Sequence, residues 1–192
     1  MRREPLVFAF HGDRLYTFER ADQHSASVFG GPLDAKIIGK SFGPKPLHLI
    51  ARLRSWHIPI LGERFVFDLP LIYGMHYDGC ELSYRIPKSH EIELLHIEPV
   101  ESSEDWPYPH YPPLLPYLPL RLDDTPQSES YDSFAQRFPN MPWPQPAELV
   151  VAVPPPETIG LSLWGSGDGD GVTIIFECDL QKKEVKAYNR TS

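Results

Sequence analysis

Two segments of this chain repeat the same order of residue types, and this repeat is the feature that most constrains the fold. Residues 70–86 and 161–177 each contain an apolar run that ends on an aromatic residue followed by glycine. Each segment then carries an Asp-Gly pair, with an aromatic residue six positions after the aspartate. Asp-Gly between strand-like runs is a strong signal for a tight β-hairpin turn. The repeat therefore predicts two related hairpin units.

The remaining strand-like runs extend this prediction to the whole chain. In the first unit, the strands are predicted at 72–77 and 81–86, with Asp78-Gly79 as the turn. Further strands are predicted at 6–10, 14–18, 47–53, 92–97, 148–153, 159–164, 172–178 and 184–188. We expect a mainly β fold in a single domain over residues 1–192, with one or two short helices. Its two related antiparallel halves would span about residues 1–100 and 147–192.

A proline-rich segment separates these halves. Proline accounts for 22 of the 192 residues, more than twice its average share of about 5%. Many of these prolines lie between residues 101 and 146, and proline is excluded from helix interiors and central strands. We therefore predict a connector at 101–146. Its aromatic and proline residues suit either a ligand for an aromatic-lined groove or a rigid cover over the core.

One short helix is predicted inside the connector, at residues 130–138. Its apolar residues recur at helical spacing, and they are Tyr131, Phe134, Ala135 and Phe138. Pro139 follows and predicts the end of the helix.

Charge and composition narrow the classes of partner. The formal net charge is −8, which disfavours nucleic acid because phosphate binding needs a basic surface. The same charge suits a basic protein partner. No apolar run approaches the roughly 20 residues of a membrane helix, and Cys80 and Cys178 lack the spacing of a disulfide scaffold. We expect a cytoplasmic protein without a cofactor, and the oligomeric state stays open.

Three residues in the first repeat unit resemble a catalytic arrangement. His76, Asp78 and Cys80 alternate, and this spacing places them on one face of a strand. A cysteine nucleophile needs an imidazole that accepts its proton, so a Cys-dependent hydrolase using Cys80 with His76 or His48 is one hypothesis. The structural alternative is a turn aspartate between an exposed histidine and a packed cysteine.

A glycine-rich segment in the second repeat unit suggests a phosphate or calcium loop. Residues 165–171 lack the lysine of a phosphate loop, and a strand rather than a helix follows them. Counting from Asp168, the fifth position of a calcium loop falls on Val172, which has no oxygen ligand to offer. A hairpin loop is the favoured interpretation, and a calcium site that uses Asp168 and Asp170 is the alternative.

The junction of the two halves is a further candidate site, because ligands favour crevices between related units. The candidate ligand-binding residues at this junction are Arg52, Trp56, Tyr73 and Trp164.

Several short motifs resemble a known family. They are Ser27-Val-Phe-Gly-Gly-Pro32, the run Pro46-Leu-His-Leu-Ile-Ala-Arg-Leu53, Leu69-Pro-Leu, and the late Trp164-Gly165, Asp170-Gly171, Phe176 and Asp179-Leu180. Together they resemble the YwqG-like family of uncharacterised bacterial proteins over about half of the chain. The resemblance implies a β-rich fold of two halves, and it implies no reaction.

These observations favour a non-catalytic cytoplasmic protein that binds another protein. A concrete version is an immunity protein that neutralises a basic toxin, which would use the acidic net charge for docking. The alternatives are the Cys-dependent hydrolase and a small-ligand or metal-binding module at the junction of the halves.

Overall fold

The computed structural model describes residues 4–22, 27–40, 46–65, 67–77, 79–100, 114–123, 126–138, 147–156 and 172–191. Within these ranges the chain is mainly β, as predicted, with thirteen strands and two short helices. The elements, in chain order, are β1 (Pro5–His11), β2 (Arg14–Arg20), β3 (Ser27–Gly31), β4 (Lys36–Gly39), β5 (His48–Leu53), α1 (Pro59–Arg64), β6 (Leu69–Tyr73), β7 (Gly79–Lys88), β8 (Glu91–Val100), β9 (Leu115–Leu122), β10 (Gln127–Ser128), α2 (Tyr131–Gln136), β11 (Leu149–Val153), β12 (Val172–Asp179) and β13 (Glu184–Thr191).

The strands form one sheet that includes both ends of the described chain. Its hydrogen-bonded order is β4-β8-β7-β13-β12-β11-β1-β2-β9-β3-β5-β6, and β10 pairs with β2. The pairs in this order are antiparallel except that β4 runs parallel to β8. The predicted hairpin of β1 and β2 is confirmed, with His11 opposite Arg14.

The sheet buries apolar side chains on both faces. Alternate residues of a strand point to opposite faces, and β11 illustrates the consequence. Leu149, Val151 and Val153 enter the main core inside the curved sheet, whereas Val150 and Ala152 enter a smaller core. Aromatic residues from α2 and its neighbourhood form that smaller core with the outer face of the sheet. The unbroken apolar run at 149–153 is therefore explained by burial on two faces.

The sheet curls until its two ends approach each other, and Tyr84 on β7, the third strand from the β4 end, contacts β6 at the other end. The Tyr84 hydroxyl donates to the carbonyl of Pro70 over 2.8 Å and accepts the N–H of Ile72 over 3.2 Å. Both groups belong to β6, the last strand in the order, and both face away from its partner β5. We call this contact of Pro70 and Ile72 with Tyr84 the seam. It satisfies the backbone of an edge strand that is otherwise open.

The pairing predicted for the first repeat unit is wrong. In the described chain β6 pairs with β5, and β7 pairs with β8 and β13. The physical reason is that β6 ends at Tyr73 in a turn, where the N–H of Tyr77 donates to the carbonyl of Gly74 over 3.2 Å. The chain then crosses the seam instead of doubling back. Asp78 and residues 157–171 lie outside the described residues, so the second unit of the repeat stays a prediction.

Part of the expected connector is a strand of the sheet. β9 lies between β2 and β3, although it contains Pro116 and Pro119. The carbonyl of Pro119 accepts the N–H of Ala21 over 2.8 Å, just beyond the end of β2. In an antiparallel sheet the N–H and C=O of one residue face the same neighbouring strand. Pro119 has no N–H, but it faces β2 at the point where the pairing of β2 and β9 ends, so no hydrogen bond within the paired region is lost.

Pro116 faces β3 at a place where the ladder is interrupted. The register of β3 and β9 shifts between Phe29 and Gly31, which marks a β-bulge. Gly30 in this bulge has a φ of 64°, and a Cβ atom there would lie 2.3 Å from the carbonyl oxygen of Pro116. Glycine adopts this φ without steric cost, and only glycine permits the close approach to Pro116. The bulge therefore allows a proline inside the sheet.

The helix expected near Tyr131 is confirmed, and a second one was not expected at its position. α2 begins after Ser130, whose hydroxyl accepts the N–H of Ser133 over 3.2 Å as an N-cap. α1 begins at Pro59, a residue suited to the first turn of a helix. Each described helix has six residues, and neither is long and apolar enough to cross a membrane.

Replacement of Tyr84 with phenylalanine tests the seam. Tyr84→Phe leaves the buried N–H of Ile72 and carbonyl of Pro70 without their hydroxyl partner. We expect the free energy of unfolding to fall by about 2 to 3 kcal/mol, as measured by urea denaturation. Tyr117→Phe is the control, because Tyr117 is 51% exposed and its variant should change stability by less than about 0.5 kcal/mol. Equal stability of the two variants would contradict the role of the seam.

Candidate functional site

A pocket of about 50 Å³ lies beside the seam, where both ends of the sheet contribute residues. One side comes from β5, β6 and the residues before β6, and the other from β7, β8, their turn and the residues before β4. The apolar lining residues are Leu33, Ala35, Phe67, Pro70, Ile86 and Ile92, and the polar ones are Asp34, Arg52, Asp68, Ser89, His90 and Glu91. Curvature of the sheet therefore builds a site from residues far apart in the sequence.

The carboxylates of this pocket already have partners. The three pairs are Asp68 at 2.6 Å from Arg54, Glu91 at 3.2 Å from Lys88, and Asp34 at 3.3 Å from His90. His90 also lies 2.9 Å from the backbone carbonyl of Asp34, which holds its ring at the rim. Asp34 and His90 are largely exposed, with side-chain exposures of 74% and 63%. The pocket consequently opens to solvent on this side.

Arg52 is different from the other charged residues of the pocket. It lies on β5, is partly buried, and stands opposite Pro70 of β6. Within the described part of the chain, its guanidinium forms no ion pair or side-chain hydrogen bond. A guanidinium carries five N–H donors and a permanent positive charge. Arg52 therefore offers the pocket a positive group that is free to bind an anion.

The other predicted ligand-binding residues do not join Arg52. Tyr73 is buried, pairs with His48, and accepts the N–H of Cys80 on its hydroxyl over 2.9 Å. Trp56 is 63% exposed in the turn that follows β5. Trp164 lies outside the described residues. Of the predicted set, Arg52 lines the pocket, and the structure places Trp56 and Tyr73 elsewhere.

A serine and a histidine form a close pair near Trp56. The Ser27 hydroxyl lies 2.7 Å from Nδ1 of His57 and accepts the backbone N–H of Arg54 over 2.9 Å. Burial lowers the pKa of His57, and the charge of Arg54 lowers it further. Ser27 and His57 therefore share a hydrogen bond whose donor depends on the tautomer of the imidazole. Ser27 is fully buried, so this pair holds the turn after β5 against β3 and gives a substrate no access to the serine.

Trp56 stands on this fixed turn. The guanidinium of Arg54 lies 5.1 Å from the centroid of the Trp56 ring, within the range of a cation–π contact. The same guanidinium is paired with Asp68. Arg54 is itself fixed by the bond from its backbone N–H to Ser27 and by its ion pair with Asp68. It therefore holds the exposed Trp56 side chain in place. Two further large side chains, Leu114 and Tyr117, are exposed at the opposite end of β3.

The proposed cysteine nucleophile is buried, which is opposite to the environment that a reactive thiol needs. Cys80 is 3% exposed. Burial raises the pKa of its thiol to about 12, despite the lowering effect of a backbone hydrogen bond with Gly74. His76 lies against another imidazole, with its ring centroid 5.1 Å from that of His48. Burial also raises the pKa of Cys178.

No group of three or more potential metal ligands occurs among the described residues. Asp168 and Asp170 lie outside these residues, so the calcium alternative stays a prediction. Asp34, Asp68 and His90 carry no local signal in the sequence, because they meet only when the sheet curls. Ser27 and Arg54 likewise carry no local signal.

Comparison with models of protein families, with curated proteins and with solved structures found no match to this chain. The resemblance to the YwqG-like family stays a prediction.

The thiol environment predicts slow alkylation in the folded protein. At pH 8, a thiol with a pKa of about 12 has roughly a thousandfold less thiolate than an ordinary cysteine. We expect iodoacetamide to modify Cys80 at least this much more slowly in the folded protein than in denaturant, as measured by mass spectrometry of tryptic peptides. Modification of the folded protein at the rate of a free thiol would contradict the buried position.

The histidine environment predicts a pH dependence of stability. Because burial lowers the pKa of His57 below its ordinary value of 6.5, the unfolded chain binds a proton first as the pH falls. The contribution of neutral His57 to the free energy of unfolding is complete above about pH 6.5, and it is lost as the pH falls through the folded-state pKa of His57. We expect the wild type to lose more unfolding free energy between pH 7 and pH 5 than His57→Gln, as measured by urea denaturation. An equal loss would contradict the lowered pKa.

Proposed function

We propose that this chain is a non-catalytic protein that binds a basic protein partner in the cytoplasm. The observation that carries the proposal is the exposed Trp56, which Arg54 holds on a fixed turn. Tryptophan and arginine are enriched among the residues that dominate binding energy in protein interfaces. A side chain that is already ordered loses less conformational entropy on binding. Trp56 and Arg54 therefore form a suitable anchor, and we call them the Trp56 anchor.

The charge of the chain supports a basic partner. The net charge is −8, and many of the described cations are already paired with carboxylates. Examples are Arg85 with Glu184, Arg121 with Glu19 and Arg137 with Glu129. The net negative charge that remains would attract a basic partner, because complementary charge speeds association. An immunity protein that neutralises a basic toxin is a concrete form of this proposal.

The burial of the candidate nucleophiles supports a role without catalysis. Cys80, Cys178 and Ser27 are all buried, and burial raises the pKa of both thiols. These observations favour binding over the Cys-dependent hydrolase. The pocket near Arg52 suits an additional small ligand, and this ligand would bind independently of the protein partner.

A two-stage binding experiment tests the proposed function. The tagged chain captures partners from lysate of its source cells at low and high salt, and mass spectrometry identifies them. A captured basic protein is then purified and titrated against the wild type by calorimetry. We expect an interaction that weakens with salt, and a loss of about thirtyfold in affinity for Trp56→Ala, as typical of an interface anchor.

Tyr117→Ala is the matched control, because it also removes an exposed aromatic side chain but at the other end of β3. We expect its affinity to stay within about twofold of the wild type. Equal effects of the two variants would refute the Trp56 anchor. Failure to capture any salt-sensitive basic protein would refute the proposed partner class.

A further inference from the structure

We propose that the pocket beside the seam binds a small carboxylate through Arg52. This proposal is independent of the Trp56 anchor and uses different residues. Its starting point is charge: Asp68 and Glu91 are paired with Arg54 and Lys88, whereas Arg52 has no partner among the described residues. Asp34 faces His90, which is a cation only when it is protonated. The guanidinium of Arg52 is therefore a cation of the lining with no carboxylate within pairing distance in the described chain. Moving a charge partly out of water is unfavourable unless an opposite charge compensates it.

A second cation adds to the positive potential on this side of the seam. The ammonium of Lys183 lies 5.2 Å from the centroid of the Phe67 ring, and Phe67 lines the pocket. The turn that carries Lys183 is fixed next to the pocket, because the N–H of Ile86 donates to the Lys183 carbonyl over 2.9 Å. In the described chain Lys183 forms this ring contact and no ion pair. Two cations without carboxylate partners thus favour an anion here.

The volume and walls of the pocket limit the size of that anion. A pocket of about 50 Å³ holds roughly four water-sized groups. Half of its lining residues are apolar, namely Leu33, Ala35, Phe67, Pro70, Ile86 and Ile92. A ligand that fits has a charged head for Arg52 and a short apolar body of two or three carbons. The part of a ligand that enters the pocket is therefore small, and a larger ligand would extend through the open side.

The charge of the lining favours a singly charged head over a phosphate. A planar carboxylate matches the guanidinium fork and binds it through two parallel hydrogen bonds. A phosphate would carry a second negative charge next to Asp34, Asp68 and Glu91. Like charges at close range are unfavourable. A monocarboxylate therefore satisfies Arg52 at the least electrostatic cost.

Two sources can supply this chemistry. One is a free short-chain monocarboxylic acid, and the other is the carboxylate at the C-terminus of a peptide. The pocket is open beside Asp34 and His90, both of which are exposed. A peptide chain can leave the pocket on this side, whereas a free acid needs no exit.

The test is an NMR titration of the full chain with sodium propionate at constant ionic strength. Propionamide, which has the same shape without the charge, is the matched ligand control. We expect propionate to shift the amide signals of residues 33–35 and 89–92, and propionamide to leave them unchanged. Shifts elsewhere only, equal shifts with propionamide, or no saturable binding of propionate would each overturn the proposal.

Two variants assign the binding to Arg52. Arg52→Gln should weaken propionate binding by about tenfold or more, the loss expected for a charge-assisted pair. Arg137→Gln is the control, because Arg137 is paired with Glu129 beside α2 and its variant should bind like the wild type. Thermal melting confirms that each variant is folded. If Arg52→Gln does not fold, the location of the wild-type shifts and the propionamide comparison decide the outcome.

A peptide arm distinguishes the two sources. Tripeptides that end in alanine are compared with a free and with an amidated C-terminus. Binding of the free form at least about tenfold tighter than propionate, with loss on amidation, supports a peptide C-terminus. Binding of propionate alone supports a free acid. Equal binding of free and amidated peptides would contradict carboxylate recognition by Arg52.

Discussion

The hydroxyl of Tyr84 is the interaction on which the closed form of the sheet depends. A curved sheet with two open ends exposes backbone donors and acceptors on its last strands, and these groups must be satisfied or hydrated. The Tyr84 hydroxyl is fully buried and bonds to both a donor and an acceptor of β6. One side chain therefore supplies the hydrogen bonds that a further paired strand would otherwise give to this edge of β6.

The candidate sites follow from this closure in different ways. The pocket near Arg52 exists because the seam brings β5 and β6 next to the turn between β7 and β8. The Trp56 anchor instead depends on the link of β3 to the turn after β5, through Ser27, Arg54 and His57. Neither site needs a mobile element. Both combine a rigid backbone with a side chain that is accessible to a ligand, which is the arrangement that favours binding.

The sequence predicts the local elements of this fold better than their pairing. The apolar run at Leu149–Val153 and the spacing of Phe134 and Phe138 specify a strand and a helix by themselves. By contrast, β9 contains two prolines, and it is stable as a strand only because Gly30 forms a bulge opposite Pro116. The sequence predicts Arg52 as a ligand-binding residue, but most of the other residues that line its pocket come from the far end of the sheet. Such long-range closure has no signal in a single sequence.

Hydrogen exchange at the amide of Ile72 tests the closure of the sheet most directly. This amide lies on a strand whose outer edge has the Tyr84 hydroxyl as its partner. We expect the Ile72 amide to exchange as slowly as the amides of the central strands β11 and β12, because its hydrogen bond breaks only when the sheet opens. Exchange at the rate of an open edge strand would show that the two ends of the sheet do not meet.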